Sequence, residues 1–214
     1  MIRAVLFDLD GTLADTERIQ WQSYRDVLRA YGVDVGMEEY RLHWIAVDGG
    51  PEYACRTYRL PITAAELRER KTVRYRELIR GAVPPCHGAV AALRRLRSSH
   101  RLAIATNTVR AELDYILEKL AMRGLLHETV AREDYAQPKP APDAYLAAAR
   151  VAEASPDECV VVEDTQRGLR AGVAAGMRVI VVPNELTFDN DFTGASARLT
   201  SLDELDAALL ERLA

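Results

Sequence analysis

The chain has 214 residues, 49% of them hydrophobic, and a formal net charge of -4. That is enough apolar material for one core with a modest insertion, which excludes a disordered tail. The acidic balance, with Lys and Arg scattered rather than gathered into a tract, argues against nucleic acid or a lipid surface as the main partner.

In chain order, the apolar run at 4–7 (AVLF) predicts a first strand. From about residue 15 to residue 80 the pattern is helical, with helices near 17–31, 38–46, 51–58 and 64–80. The last of these has a capping box, Thr63 with Glu66. Helices over 88–97 and 111–120 flank a strand at 102–106 (LAIAT), and HETVA at 127–131 reads as a strand nearer an edge. Pro142 opens another helix. CVVVE at 159–163 and RVIVV at 178–182 are two further strands, separated by a helix from Thr165 to Ala175 that Gly176 closes. Ser201 and Glu204 form a capping box expected to open the final helix. Most strands lack polar–apolar alternation, as expected when both faces are buried. The alternation of strands and helices predicts an α/β fold, a doubly wound, mostly parallel sheet carrying an inserted all-helical domain. The expected boundaries are 1–14 with 81–214 for the sheet domain and 15–80 for the insertion.

Cys55, Cys86 and Cys159 are odd in number and far apart, which predicts free thiols and a cytoplasmic protein. The first apolar run meets Asp8 at once, so neither a secretory signal nor a membrane span is expected.

The stretch VLFDLDGTLAD ends a hydrophobic strand in carboxylates. Asp8 and Asp10 are two residues apart, hence on the same side of a strand, and repel unless a cation intervenes or one keeps a proton. A calcium loop is excluded, because the frame that puts Gly11 at the sixth position puts Leu6 at the first. No phosphate-cradling G-x-x-x-x-G-K-[ST] occurs. A strand-end turn with solvated aspartates remains the plain alternative for these residues alone.

Other strand ends carry suitable groups. Thr106, Asn107 and Thr108 follow LAIAT and suit phosphate oxygens, and Glu163 and Asp164 end VVVE as hard oxygen ligands suited to Mg²⁺. An acidic cap at a helix N-terminus is the other reading of that pair, and both can hold together. Lys139, held between Pro138 and Pro140, is either a surface lysine or a charge aimed into the shared crevice.

DLDGTLAD, ATNT, KPAPDAY and VVVEDTQRGLRAGVAAGM together resemble the four motifs of the haloacid dehalogenase superfamily of phosphotransferases. The helical insertion resembles the small cap of its β-phosphoglucomutase-like and phosphoglycolate-phosphatase-like branch. The resemblance implies Asp8 as a nucleophile forming an aspartyl-phosphate, and Asp10 as the acid and base. It implies Mg²⁺ on Asp8, the Asp10 carbonyl and Asp164 with Glu163 assisting, and a phosphoryl group held by Thr106, Asn107 and Lys139. A cap that opens and closes on hinges near 14–16 and 80–84 is part of the same expectation.

Two features bear on the reaction. Asp10 points to phosphoryl transfer, since true dehalogenases of the superfamily lack the second aspartate. Relatives that are mutases carry a histidine where this chain has Gln20, and an arginine in the cap loop that reads AVDGGPE here, at 46–52. The expectation is therefore a Mg²⁺-dependent phosphatase of small phosphorylated metabolites, sugar phosphates first, acting as a monomer or homodimer. A sugar-phosphate mutase is the alternative, and a non-catalytic regulatory protein keeping the fold is the more distant one. Lys71 resembles a cap lysine of the branch and reads equally as a solvated helix lysine. Trp21 and Trp44 are expected to pack the cap, and the four histidines have no ligand spacing. The segment 183–195 (PNELTFDNDFTGA) suggests no chemistry.

Overall fold

A computed structural model describes residues 1–46 and 49–214. The chain divides into two compact units, one of residues 1–15 and 84–214 and one of residues 16–83.

The first unit is built on a six-stranded parallel sheet. Its strands are β1 (Ala4–Phe7), β2 (Arg101–Ala105), β3 (Glu128–Val130), β4 (Cys159–Glu163), β5 (Arg178–Val181) and β6 (Ala197–Arg198), in the order β3-β2-β1-β4-β5-β6. β1 and β4 are buried throughout, which is why their sequences are unbroken apolar runs. HETVA lies at one edge, as its weaker pattern predicted. β6, at the other edge, is two residues long and has no hydrophobic signature in the sequence.

The second unit holds α1 (Glu17–Arg29), α2 (Met37–Tyr40), α3 (Gly50–Thr57) and α4 (Ala64–Ile79). The helix expected over 38–46 is broken in character: α2 ends at Tyr40 and the chain continues as π-helical turns over Arg41–Ala46. The Thr63–Glu66 capping box opens α4 as predicted. Leu28, Val35, Tyr40, Trp44, Ala54 and Leu67 form this unit's own core, and Trp21 packs against it.

The first unit also contains α5 (Ala89–Leu96), α6 (Arg110–Lys119), α7 (Asp143–Val151), α8 (Gln166–Ala174) and α9 (Ala207–Leu213). Alternate strand residues, among them Leu6, Ala103, Ala105, Val161 and Val179, pack with Tyr145, Ala148, Leu169 and Ala171 of α7 and α8 into one core layer. The expectation for the last helix needs correction. The Ser201–Glu204 box caps a single 3-10 turn, Leu202–Glu204, and α9 is capped instead by Asp206, whose carboxylate accepts from Leu209 N at 2.8 Å. A capping box satisfies whichever backbone N–H groups follow it, and here that helix stops after one turn. Among the described residues, no helix is long and apolar enough to cross a membrane.

Candidate active site

Strand register gathers the site. Phe7 pairs with Ile104 on one side and Val162 on the other, so Asp8 and Thr106 leave the sheet at its carboxyl edge, where Glu163 ends β4. Asp8 N still donates to Val162 O (3.0 Å) and Thr106 N to Val130 O (3.1 Å), which fixes where each chain turns out of the sheet. In open parallel sheets, reactive groups collect at this edge.

Lys139 is not a surface lysine. Its residue is 5% exposed, against 8% for Asp8, 1% for Glu163 and 0% for Asp164. Its Nζ donates to Asp8 Oδ1 (2.5 Å), Glu163 Oε1 (2.7 Å) and the Tyr145 hydroxyl oxygen (2.8 Å), which uses all three ammonium protons. Tyr145 O–H donates in turn to Glu163 Oε1 (2.7 Å), and its ring centroid lies 4.4 Å from Nζ. The other Glu163 oxygen accepts from Asp164 N (3.1 Å), Thr165 N (3.2 Å) and Thr165 Oγ1 (3.0 Å). Glu163 therefore both satisfies the backbone ahead of α8 and anchors the lysine.

The charges are unevenly matched. Burial pulls Lys139 down, but Asp8 and Glu163 outweigh it and hold the ammonium protonated above its ordinary range. Burial pushes Glu163 up, and Lys139 with the surrounding donors brings it below the ordinary carboxylate range. Asp8 goes the other way. Burial, reinforced by Glu163 and Asp10, pushes it up to about 8 although Lys139 opposes. At Asp8, burial and the two neighbouring carboxylates therefore outweigh the ammonium.

α8 starts close enough to crowd this cluster. A methyl group on Gly168 would lie 1.8 Å from the Glu163 carboxyl carbon. Gly168→Ala is expected to cost about 1–3 kcal/mol by overpacking, read as a fall of several degrees in Tm. An unchanged melting curve would refute that packing.

Asp10 takes a different environment. Its Oδ2 accepts from Thr108 Oγ1 (2.5 Å), with Thr106 Oγ1 at 3.5 Å, and Thr108 N donates to Thr106 Oγ1 (3.0 Å). Asn107 Oδ1 accepts from Lys139 N (3.1 Å) and lies 2.7 Å from the Tyr135 hydroxyl, which leaves its NH₂ as the available donor. The turn after Asp10 needs Gly11 at φ +82, and Gly11 N donates to Ala14 O (2.8 Å).

Asp164 accepts from Thr12 Oγ1 (3.3 Å) on Oδ1 and from Asn184 Nδ2 (2.8 Å) on Oδ2. Single ligand oxygens of Asp8, Glu163 and Asp164 all lie within 4.8 Å of one another. These residues fit a hard divalent cation, for the donors they offer are buried carboxylate oxygens. Cys86 is the nearby soft group. Burial, with Asp164, Asp15, Asp10 and Asp8, pushes its thiol far up, so it stays protonated and offers no thiolate.

The site thus brings together Asp8, Asp10, Thr106, Asn107, Lys139, Glu163 and Asp164. Gln20 and Lys71 lie in the second unit and are hydrogen-bonded to each other, with the Lys71 ammonium over the rings of Tyr75 (4.6 Å) and Tyr24 (5.4 Å). Lys71 is therefore not a freely solvated helix lysine. Val47 and Asp48 of AVDGGPE lie outside the described residues. Trp44 packs against Tyr24, Tyr40 and Tyr53. Sequence reasoning missed Thr12, Tyr135, Tyr145 and Asn184. Tyr145 sits in the quoted KPAPDAY, but nothing in its spacing predicts a bond to Glu163. Asn184 had no signal at all.

Residues 5–182 match the model of the family described as haloacid dehalogenase-like hydrolase. Protein CbbY of Rhodobacter capsulatus is 37% identical over 213 residues, covering 94% of this chain and 94% of the relative. The fructose-1-phosphate phosphatase YqaB of Escherichia coli (strain K12) is 29% identical, over 83% of this chain and 95% of its own. A substituted CbbY from Rhodobacter sphaeroides, solved in complex with xylulose-(1,5)bisphosphate, superposes with a TM-score of 0.80 at 32% identity, over 96% of both chains.

Proposed function

The chain belongs to the haloacid dehalogenase-like hydrolase family, and from that premise we propose that it is a Mg²⁺-dependent phosphatase of small phosphorylated metabolites, sugar phosphates above all. The observation that carries the proposal is the buried Asp8–Lys139–Glu163 cluster with Asp10 beside it, held by Thr108. The substrate class draws on relatives named for fructose 1-phosphate and solved with xylulose-(1,5)bisphosphate.

In this mechanism an Asp8 carboxylate oxygen attacks phosphorus while the bond to the leaving oxygen breaks, and Asp10 supplies that oxygen with a proton. Thr106 and the Asn107 amide NH₂ hold the equatorial oxygens as charge spreads over them, and Lys139 joins them by turning to the phosphoryl group the proton that it otherwise gives Asp8. In the second half, Asp10 takes a proton from water, whose oxygen displaces Asp8 and releases phosphate. Asp8, Asp164 and the Asp10 carbonyl would hold Mg²⁺, with Glu163 assisting through Lys139. The bound ion supplies positive charge and lets Asp8 ionise near neutral pH.

The test is phosphate release over a panel that includes fructose 1-phosphate and xylulose 1,5-bisphosphate, with Mg²⁺ and with EDTA. Metal-dependent release from one or a few sugar phosphates is expected. Isomerised sugar phosphate without release would make the protein a mutase, and no change in any substrate would overturn the proposal.

A stability measurement accompanies it. Asp8 has its folded pKa above the unfolded value, so its contribution to stability is present at low pH and lost as pH rises through about 8. Mg²⁺ reverses that loss by competing with the proton. The Mg²⁺-induced rise in Tm is therefore larger at about pH 8 than at about pH 5.5, and at a hundredfold excess over Kd it corresponds to about 2.7 kcal/mol. A shift that shrinks with rising pH would contradict Asp8 as a ligand.

A further inference from the structure

We propose that Asn184 is a positioning residue for the cation site: it fixes the Asp164 carboxylate and so sets the affinity for Mg²⁺. The inference rests on the cation reading given above and concerns the segment 183–195, for which the sequence suggested no role.

Asn184 follows β5 by three residues, in the strap that joins β5 to β6. Its amide group is held at both ends. Oδ1 accepts from Leu186 N (2.9 Å), while its backbone N donates to Thr187 Oγ1 (3.0 Å) and its backbone O accepts from Thr187 N (3.2 Å). Leu186 and Thr187 are buried, so the turn that carries Asn184 is anchored in the core. With the oxygen engaged, the NH₂ is presented to Asp164 Oδ2 at 2.8 Å and to Gly11 O at 3.4 Å.

The opposite wall is equally close. A methyl on Gly11 would lie 2.3 Å from Asp164 Oδ2 and 3.1 Å from Asn184 Nδ2. The glycine of the first motif therefore leaves room for the hydrogen bond between strand end and strap. Thr12 Oγ1 takes the other Asp164 oxygen. Both donors are neutral, so they orient the carboxylate without cancelling the charge that a cation needs. Each leaves lone pairs on the oxygen it contacts. Groups that orient a metal ligand in this way change affinity by roughly 10–100-fold when removed.

The strap has a second asparagine that serves as a control. Asn190 Oδ1 accepts from Gln166 N (3.0 Å) at the start of α8 and has no bond to the acidic cluster.

The test is Mg²⁺ binding to the full-length, EDTA-stripped protein, measured by isothermal titration calorimetry with MgCl₂ alone. The variants are Asn184→Ser, Asn184→Ala and Asn190→Ala. Serine can still accept the turn bond from Leu186 N but is too short to reach Asp164, which separates loss of the donor from loss of the turn. Kd for Mg²⁺ is expected to rise by about 10-fold or more in both Asn184 variants and to stay at the wild-type value in Asn190→Ala. The Mg²⁺ concentration giving half-maximal phosphate release should rise by the same factor. A wild-type Kd in Asn184→Ser overturns the proposal while the cation site stands. Equal weakening in Asn190→Ala also overturns it, because the whole strap and not Asn184 would then be responsible. A wild-type protein that takes up no Mg²⁺ overturns this proposal and the cation site together.

Discussion

Asp8→Asn leaves a folded protein whose turnover falls by at least about 10⁴-fold, the scale seen when a covalent nucleophile is removed. An amide oxygen carries no charge to form the bond to phosphorus, and among the described residues no carboxylate other than Asp8 bonds to Lys139 from the β1 side. The fold has reasons to tolerate the change. Lys139 keeps its bonds to Glu163 and the Tyr145 hydroxyl. The charge that disappears is one that burial and two neighbouring carboxylates oppose. Without divalent cation at about pH 8, the Tm of the variant should equal or exceed that of the wild type. The increase in Tm on adding Mg²⁺ should fall sharply, since a ligand is gone. Phosphate release and thermal melts on the same preparation decide the matter. A variant that stays folded and active would remove Asp8 from the mechanism.

Lys139→Met should cost stability as well as activity. Methionine matches the aliphatic stem but leaves Glu163, 1% exposed, and Asp8 without their buried counter-charge. Removing one partner of a buried ion pair costs about 3–5 kcal/mol, because the remaining charge is stranded in a low-dielectric environment. The deficit has a pH signature. In the variant, Glu163 is pushed above its unfolded pKa, so the folded state binds the extra proton and the loss grows as pH rises. Adding Glu163→Gln should recover part of the stability by removing the stranded charge, a coupling that a double-mutant cycle measures in denaturant. It should not recover turnover, since the ammonium that neutralises the transferring phosphoryl group is still missing. Additive stability losses would show that Lys139 and Glu163 do not act as a pair. Retained turnover in Lys139→Met would remove the lysine from phosphoryl binding.

The acidic strand ends were legible because burial and chemistry conflict there. AVLF and CVVVE are too apolar to end in carboxylates without cause, and Lys139 is clamped between prolines. Other partners were not legible. Tyr145 lies two residues into α7 and fills the core like any aromatic residue, so its bond to Glu163 follows only from how α7 packs on the sheet. Thr108 was noted beside Thr106 and Asn107, yet its donation to Asp10 depends on how the chain turns out of β2. The capping box at Ser201 was read correctly as a cap and wrongly as the start of the last helix, since a cap carries no information on how far the helix runs.

By itself the sequence determined the parallel α/β plan, the helical insertion after β1, and the carboxylates and lysine of the site, because each is written in local periodicity or in residues whose burial demands a partner. Only the tertiary structure decided that Lys139 divides its protons among Asp8, Glu163 and Tyr145, that Gln20 pairs with Lys71, and that the strap beyond β5 brings Asn184 onto Asp164. These contacts join positions from 6 to 131 residues apart, and a bond across such separations is set by strand order and register, which no local pattern encodes.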